Sequence, residues 1–312
     1  MFDASFVKQM ISRSSENPTD RRRFLRAAGF AGAGVATAGI ASRAGVASAA
    51  EADSYGAPSD AAVLNFALNL EYLEAEFYLH AVTGSGLPAN LTGGKGNMGG
   101  VFGGRQVHFK TPAIQQFAKE ISGDELAHVT FLRSALGSAK VARPAISIYS
   151  AFVSAARAAG LVGPHDDFDV YASEENFLLG AFIFEDVGVT AYKGAAPLIS
   201  NKTYLGAAAG ILAVEAYHAA GIRALLYAKG LGTAANAISG ARDSLDGPTD
   251  DDQGVIVNGK VNLVPADSNG LAFGRSTGDV LNVVYLTPES ARKGGFFPTG
   301  VNGSINTSND NA

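Results

Sequence analysis

The chain has 312 residues, with 24 Lys and Arg against 29 Asp and Glu, which gives a formal net charge of −5. Because 47% of the residues are hydrophobic, the composition describes a folded globular protein with ample chain for a buried core. The absence of Cys excludes disulfides, thiolate catalysis and iron–sulfur clusters, so a bound metal needs Asp, Glu or His ligands. The acidic balance predicts no nucleic-acid partner.

The first 49 residues have the features of an export signal. Residues 21–26, RRRFLR, match the twin-arginine pattern of two Arg, any residue, Phe, Leu and a basic residue. A weakly apolar run over residues 27–41 is too short for a comfortable membrane span, and residues 47–49, ASA, supply a small-residue cleavage site. We therefore predict a signal peptide over residues 1–49, passage through the twin-arginine translocase, and a periplasmic or extracellular mature protein.

Four long helical patterns follow, and together they predict an all-α four-helix bundle over residues 50–230. Capping residues, Pro and Gly mark the ends of these helices. A shorter amphipathic stretch over residues 148–159 lies between the second and the third. The predicted long helices cover about residues 59–82, 111–137, 173–196 and 201–230.

Two regions do not fit a plain bundle. Residues 84–110 contain nine Gly and form a long Gly-rich loop. Residues 231–312 are mostly irregular, with a small hairpin on an Asn-Gly turn at 255–261 and a short helix or strand at 278–286. The three Asp at 250–252 lack the spacing of a calcium loop and are expected to form a solvated turn. Apolar residues predict that this C-terminal extension packs on the bundle: Leu263, Leu271, Phe273, Phe296 and Phe297.

Each long helix carries a carboxylate in the middle of an apolar stripe. In the first helix, the stripe that includes Leu68 and Glu71 is predicted to face the core. The stripe that includes Asn69, Glu76 and His80 is predicted to face solvent. An isolated carboxylate costs roughly several kcal/mol to bury, so a carboxylate on a core stripe must be neutralised or bind a cation.

Two of the helices add a His three residues after the carboxylate, which directs both side chains to one face. One Glu from each of two helices, with Glu-x-x-His from each of the other two, is the ligand set of carboxylate-bridged dinuclear metal proteins. Four carboxylates cancel the charge of two divalent ions in the core. The predicted metal ligands are Glu71, Glu125, His128, Glu185, Glu215 and His218.

The two halves of the bundle also repeat each other. Tyr78 and Tyr192 each follow a core Glu by seven residues, and Arg133 and Arg223 each follow the Glu of a Glu-x-x-His by eight. This spacing predicts a pseudo-twofold arrangement with ion pairs at the Arg. Tyr78 and Tyr192 are the candidate catalytic residues, with a redox or hydrogen-bonding role near the metals, and the alternative is that they fill the core. Glu74 borders the core stripe and is a secondary candidate for an extra or alternative ligand, outside the predicted set of six.

These motifs resemble those of ferritin-like proteins. Residues 69–71 with Tyr78 are similar to the first-helix iron-ligand motif of ferritins, and residues 124–128, DELAH, are similar to the second-helix motif. The segment DAAVLNFALNLEYLEAEFYLHAV and the tail segments ARDSLDGPTDDDQG and NGLAFGRSTGDVLNVVYL are typical of a narrower group. That group is the exported ferritin-like proteins that include the desiccation-related proteins of plants.

The resemblance implies a ferritin-like bundle in which Glu125 and Glu215 bridge two metal ions and Glu71 and Glu185 are terminal ligands. It implies two iron ions or, alternatively, two manganese ions, since Glu and His suit both. We expect oxidase, ferroxidase or peroxide-detoxifying chemistry on dioxygen or hydrogen peroxide, in stress or desiccation protection. A dimanganese catalase-like enzyme and a non-catalytic stress or envelope protein with a structural or vestigial metal site are the alternatives. The sequence is compatible with a homo-oligomer, although the long loop and the extended tail argue against assembly into a ferritin cage.

Overall fold

Four long helices form the bundle in the computed structural model, which describes residues 57–312. The prediction of an all-α four-helix bundle is confirmed, whereas the predicted signal peptide lies outside the described residues. In chain order the elements are α1 Asp60–Thr83, β1 Val101–Phe102, α2 Pro112–Leu136, β2 Ile146–Ser147, α3 Ser150–Ala158, α4 Glu174–Ala195, α5 Lys202–Ala228, α6 Gly232–Asp243, β3 Ile256–Val257, β4 Lys260–Val261 and α7 Thr277–Tyr285. Helix α1 packs mainly on α2, α4 packs mainly on α5, and α1 contacts α4.

Local capping sets the ends of the long helices. The side chain of Ser59 accepts a hydrogen bond from the backbone N–H of Ala62 at the start of α1. Gly84 ends that helix in the left-handed conformation, with a φ of 79°, which is unstrained for Gly. The side chain of Ser173 caps α4 in the same way as Ser59 caps α1. These residues explain why the sequence predicted the helix bounds to within a few residues.

The Gly-rich connection between α1 and α2 packs closely against the segment that follows α2. Strand β1 in this connection forms a two-residue parallel ladder with β2. A Cβ atom on Gly94 would overlap the backbone of Val141, and one on Gly99 would overlap the backbone of Ala145. At these two positions Gly is therefore required by the close approach of two backbone segments.

The C-terminal extension shares the hydrophobic core of the bundle. Helix α7, Phe296 and Phe297 belong to the same buried cluster as the long helices, whereas Leu271 is 58% exposed, contrary to its predicted packing. The hairpin of β3 and β4 turns at Asn258 and Gly259, as the Asn-Gly signal predicted. Helix α6 was not predicted, because its sequence GTAANAISGARD has few apolar residues and no capping side chain.

Helix α1 is buried on two faces, and the prediction that one of them meets solvent was wrong. Asn69, Tyr72 and Glu76 have no exposed surface. The side chain of Asn69 donates to the carbonyl oxygen of Asn302 at 2.8 Å, and Glu76 forms an ion pair with Arg143. The C-terminal extension and the segment after α2 thus supply the partners that allow a polar stripe to be buried.

Candidate metal centre

Six side chains from the four long helices meet in the interior of the bundle. Each comes from the middle of its helix, where the apolar neighbours of the stripe exclude water. The four Glu side chains are fully buried, and the two His residues are 8% and 3% exposed. The structure therefore brings together all six residues that the sequence predicted as ligands: Glu71, Glu125, His128, Glu185, Glu215 and His218.

The six residues divide into two overlapping groups, and the ligand atoms within each group lie within 4.8 Å of one another. Glu125 and Glu215 belong to both groups. The first group adds Glu71 and His128, and the second adds Glu185 and His218. Two cations that share two carboxylates, each with one further Glu and one His, require this arrangement.

Both His rings direct Nδ1 towards the carboxylates. Nδ1 of His128 lies 3.2 Å from Oε2 of Glu71 and 3.5 Å from oxygens of Glu125 and Glu215. Nδ1 of His218 lies 3.3 Å from Oε2 of Glu185. Nδ1 is therefore the nitrogen that each ring offers to a cation.

A further carboxylate stands behind one of the two rings. Nε2 of His218 lies 3.2 Å from Oδ2 of Asp124, whose side chain is 46% exposed. A carboxylate at this nitrogen fixes the ring orientation and raises the basicity of the ligand nitrogen. The sequence pattern does not predict this role, although Asp124 is part of the DELAH motif. Val214 holds the equivalent position in α5, so this carboxylate occurs in one half of the bundle.

Tyr78 and Tyr192 connect the two halves. The phenol O–H of Tyr78 in α1 donates to Oε1 of Glu185 in α4, and that of Tyr192 in α4 donates to Oε1 of Glu71 in α1. Burial and then the neighbouring carboxylates raise the pKa of both phenols well above the ordinary value. Both phenols are therefore neutral donors, and they hold the two predicted terminal carboxylates.

The cluster has unsatisfied acceptors. Both carboxylate oxygens of Glu125 and of Glu215, and Oε2 of Glu185, are buried without a hydrogen-bond partner. Nδ1 of His218 is buried in the same way, since its contacts lack hydrogen-bond geometry. Buried ionisable groups without partners are costly, and cations placed among them would satisfy them. The donor set therefore fits a pair of metal ions.

Protons take part in holding the cluster together without cations. Burial raises the pKa of Glu71 to about 7. Burial alone would lower the pKa of His128, but Glu71 and Glu125 outweigh it and raise that pKa to about 12. The pKa of His218 is raised in the same way, chiefly by Glu185. Two divalent cations must therefore displace protons from the imidazoles when they bind.

The two repeated Arg residues have different partners. Arg223 forms the expected ion pair, with its Nη1 at 2.7 Å from Oδ2 of Asp186. Arg133 instead donates to the carbonyl oxygen of Gly93 at 2.8 Å and to the hydroxyl of Tyr72, so its predicted ion pair was wrong. Both Arg side chains support the fold around the cluster.

The buried Glu and His cluster in a four-helix bundle is an arrangement of the ferritin-like class. A family model described as a ferritin-like domain matches residues 59–228. The chain is 33% identical over 244 residues to the desiccation-related protein PCC13-62 of Craterostigma plantagineum, which covers 70% of this chain and 75% of that protein. It is 28% identical over 271 residues to the ferritin-like catalase Nec2 of Nesocodon mauritianus, which covers 79% and 85%. The chain thus belongs to the ferritin-like domain family, and the resemblance seen in its motifs is confirmed.

Proposed function

We propose that this protein is a dinuclear metal oxidoreductase that decomposes hydrogen peroxide. The observation that carries the proposal is the pair of overlapping ligand groups that share Glu125 and Glu215. Carboxylate and imidazole donors suit iron and manganese, the two metals that the sequence analysis favoured. Both metals can change oxidation state, whereas Zn²⁺ cannot.

The proposed reaction converts two molecules of hydrogen peroxide into two of water and one of dioxygen. One peroxide gains two electrons and two protons and becomes two waters, and the other loses two electrons and two protons and becomes dioxygen. A bound metal pair supplies a store for two electrons between these half-reactions. The six clustered side chains would hold the two ions within the buried core of the bundle.

The tyrosines orient the terminal carboxylates for this site. The hydroxyl of Tyr78 donates a hydrogen bond to Oε1 of Glu185, and Oε2 of the same Glu faces Nδ1 of His218. The hydroxyl of Tyr192 donates a hydrogen bond to Oε1 of Glu71, and Oε2 of Glu71 faces Nδ1 of His128. Glu71 and Glu185 would therefore each offer one carboxylate oxygen, Oε2, to the metal pair.

The relatives support the chemistry and the setting. One relative is named a ferritin-like catalase and the other a desiccation-related protein. We further propose that the twin-arginine pattern at residues 21–26 exports the folded, metal-loaded protein to the periplasm or the exterior. Oxidase or ferroxidase chemistry on dioxygen would use the same metal pair. The test must therefore measure the bound metals and also whether dioxygen is released or consumed.

The test combines elemental analysis with an oxygen electrode on the purified full chain. We expect about two iron or manganese ions per chain and release of dioxygen from hydrogen peroxide. Glu125→Gln and Glu215→Gln, which remove the shared carboxylates, should lower the rate at least about 100-fold. Glu120→Gln, on the exposed face of α2, is the matched control.

Three outcomes would contradict the proposal. A wild-type protein with neither iron nor manganese would exclude the metal pair. Dioxygen consumption with Fe²⁺ and no release from peroxide would favour an oxidase or ferroxidase. A stress phenotype that persists after Glu125→Gln has removed the metal would favour the non-catalytic alternative.

A further inference from the structure

A fifth buried carboxylate lies next to the six clustered side chains. Glu74 follows Glu71 by about one turn of α1, and it is 6% exposed. A Cβ atom on Gly188 of α4 would overlap Oε2 of Glu215 and would lie 3.5 Å from Oε1 of Glu74. The carboxylates of Glu74 and Glu215 therefore share the small space in front of Gly188.

The two halves of the bundle differ at this position. The same number of residues separates Glu71 from Glu185 and Tyr78 from Tyr192. That number also separates Glu74 from Gly188, so Gly188 is the equivalent of Glu74 in the second half. One half thus supplies an additional carboxylate, and the other supplies the space that it needs, since Gly has no side chain. The pseudo-twofold symmetry of the candidate site is broken by this pair of residues.

The groups that act on Glu74 belong to the cluster. Burial raises the pKa of its carboxyl well above the ordinary value, and Glu125 and Glu185 raise it further, while His218 opposes them. Glu76, two residues later and fully buried, is instead neutralised by Arg143, outside the cluster. Glu74 therefore shares its electrostatic environment with the predicted ligands, and Glu76 does not.

Glu74 also borders a cavity of about 20 Å³ between α1, α4 and α7. This volume admits about one water molecule. Glu74 is the one charged side chain among the lining residues, which include Leu70, Val187 and Phe296. Glu74 therefore has space for about one water molecule on the side away from the shared carboxylates.

We propose that Glu74 is a fifth carboxylate ligand of the metal pair, beside Glu215 on the side of Gly188. The inference rests on the proposed function, because it requires bound ions. Four carboxylates balance two divalent cations, so a fifth balances one additional positive charge. Glu74 therefore favours the oxidised pair and makes the two halves of the site unequal.

The test is a calorimetric titration of the metal-free full-length protein with Mn²⁺. Glu74→Gln keeps the size of the side chain and removes its charge, and Glu74→Asp keeps the charge but withdraws the carboxylate. We expect both variants to bind one of the two ions at least about tenfold more weakly than the wild type. Glu76→Gln, which removes a buried carboxylate from the same helix, should leave both affinities unchanged.

The midpoint potential of the bound metal pair is a second measurement. It should rise in Glu74→Gln and stay at the wild-type value in Glu76→Gln, because only Glu74 balances the charge of the oxidised pair. Wild-type affinities together with a wild-type midpoint potential in both Glu74 variants would overturn the inference and leave the proposed function standing. A wild-type protein that binds neither Mn²⁺ nor Fe²⁺ would overturn the proposed function first, and the inference with it.

Discussion

Tyr78 and Tyr192 determine which oxygen of each terminal carboxylate is available to a cation. Each phenol donates to Oε1 of a Glu in the other half of the bundle. A hydrogen bond to a charged acceptor inside a protein contributes about 1.5–3 kcal/mol, so these bonds restrict the carboxylates strongly. Both tyrosines are neutral donors, and we expect them to position Glu71 and Glu185.

Removal of either hydroxyl should weaken the metal site without removing it. Tyr78→Phe and Tyr192→Phe keep the packed ring and free the second oxygen of the carboxylate. We expect metal affinity to fall about 10–100-fold in each variant, because each loses the hydrogen bond that orients one carboxylate. Titration with Mn²⁺ measures the change.

Tyr72→Phe is the matched control for this prediction. Tyr72 is a fully buried phenol of the same helix, and it donates to the carbonyl oxygen of Val141 at 3.0 Å, away from the cluster. Its loss should lower the free energy of unfolding and leave metal affinity unchanged. Equal metal affinities in the Tyr78 and Tyr72 variants would show that the phenols at the cluster only fill space.

The six clustered residues were predictable because a carboxylate on an apolar stripe contradicts the pattern around it. The contact of each Tyr with the opposite half of the bundle was not predictable. A spacing of seven residues places the Tyr and the Glu on one face of a helix, but it does not identify the helix that packs against that face. Asp124 was missed for a related reason. It lies at the edge of the stripe, where a half-exposed Asp agrees with the local pattern.

At the scale of elements, Glu174 joins three helices. It begins α4, and its carboxylate accepts hydrogen bonds from the backbone N–H groups of Lys110 and Thr111, both at 2.8 Å, just before α2. The ammonium of Lys229 donates to it at 2.8 Å from the end of α5. One buried carboxylate thus links three of the four long helices.

This arrangement predicts a pH-dependent contribution to stability. Burial alone would raise the pKa of Glu174, but hydrogen bonds from Lys229 and Thr111 outweigh it and lower that pKa to about 2. A carboxyl whose pKa is lower in the folded state stabilises the fold above its unfolded pKa of about 4.3 and loses this contribution towards pH 2. Glu174→Gln should therefore cost on the order of 1 kcal/mol at pH 7 and progressively less between about pH 4.3 and 2.

Urea unfolding of wild type and variant across this pH range measures the difference. Glu175→Gln is the control, because Glu175 also pairs with Lys229, at 2.7 Å, but is 42% exposed. Its loss should have a smaller effect. A Glu174→Gln penalty that is constant from pH 7 to pH 2 would contradict the assignment.

The long helices were predictable as elements because their apolar periodicity and caps are local signals. The burial of the polar stripe of α1 was not predictable, because Asn302 and Arg143, which satisfy it, lie far along the chain. The same holds for Asp252, which was expected in a solvated turn and is 7% exposed. Partners that are distant in sequence turn a solvent-facing pattern into a buried one.

At the scale of the whole described unit, a buried network of three Arg and three Asp ties the C-terminal extension to the bundle. Its members are Arg223, Arg242, Arg275, Asp186, Asp246 and Asp252. Arg275 of the extension lies 2.6 Å from Asp246 and 2.7 Å from Asp252. Arg242 of α6 reaches Asp252 at 2.7 Å and Asp186 of α4 at 3.0 Å. The opposite charges balance, so loss of a single member leaves a buried charge without compensation.

Loss of Arg275 should therefore destabilise the protein strongly. Arg275→Met leaves Asp246 and Asp252 with less compensation, and removal of one partner from a buried ion pair costs about 3–5 kcal/mol. The double variant Arg275→Met, Asp246→Asn should regain part of this loss, because it leaves two Arg and two Asp in the network and Asp252 stays paired with Arg242. Arg105→Met, which breaks an exposed ion pair with Asp169, should cost at most about 1 kcal/mol.

Urea unfolding and limited proteolysis together check this prediction. The Arg275 variant should be cleaved faster within residues 244–312, while the bundle, whose predicted ligands all precede residue 219, retains its metal. Similar unfolding free energies for the Arg275 and Arg105 variants would show that the extension is held by Phe296, Phe297 and α7 alone. Loss of metal in parallel with proteolysis would show instead that the extension and the metal site unfold together, because α7 and Phe296 line the cavity beside Glu74.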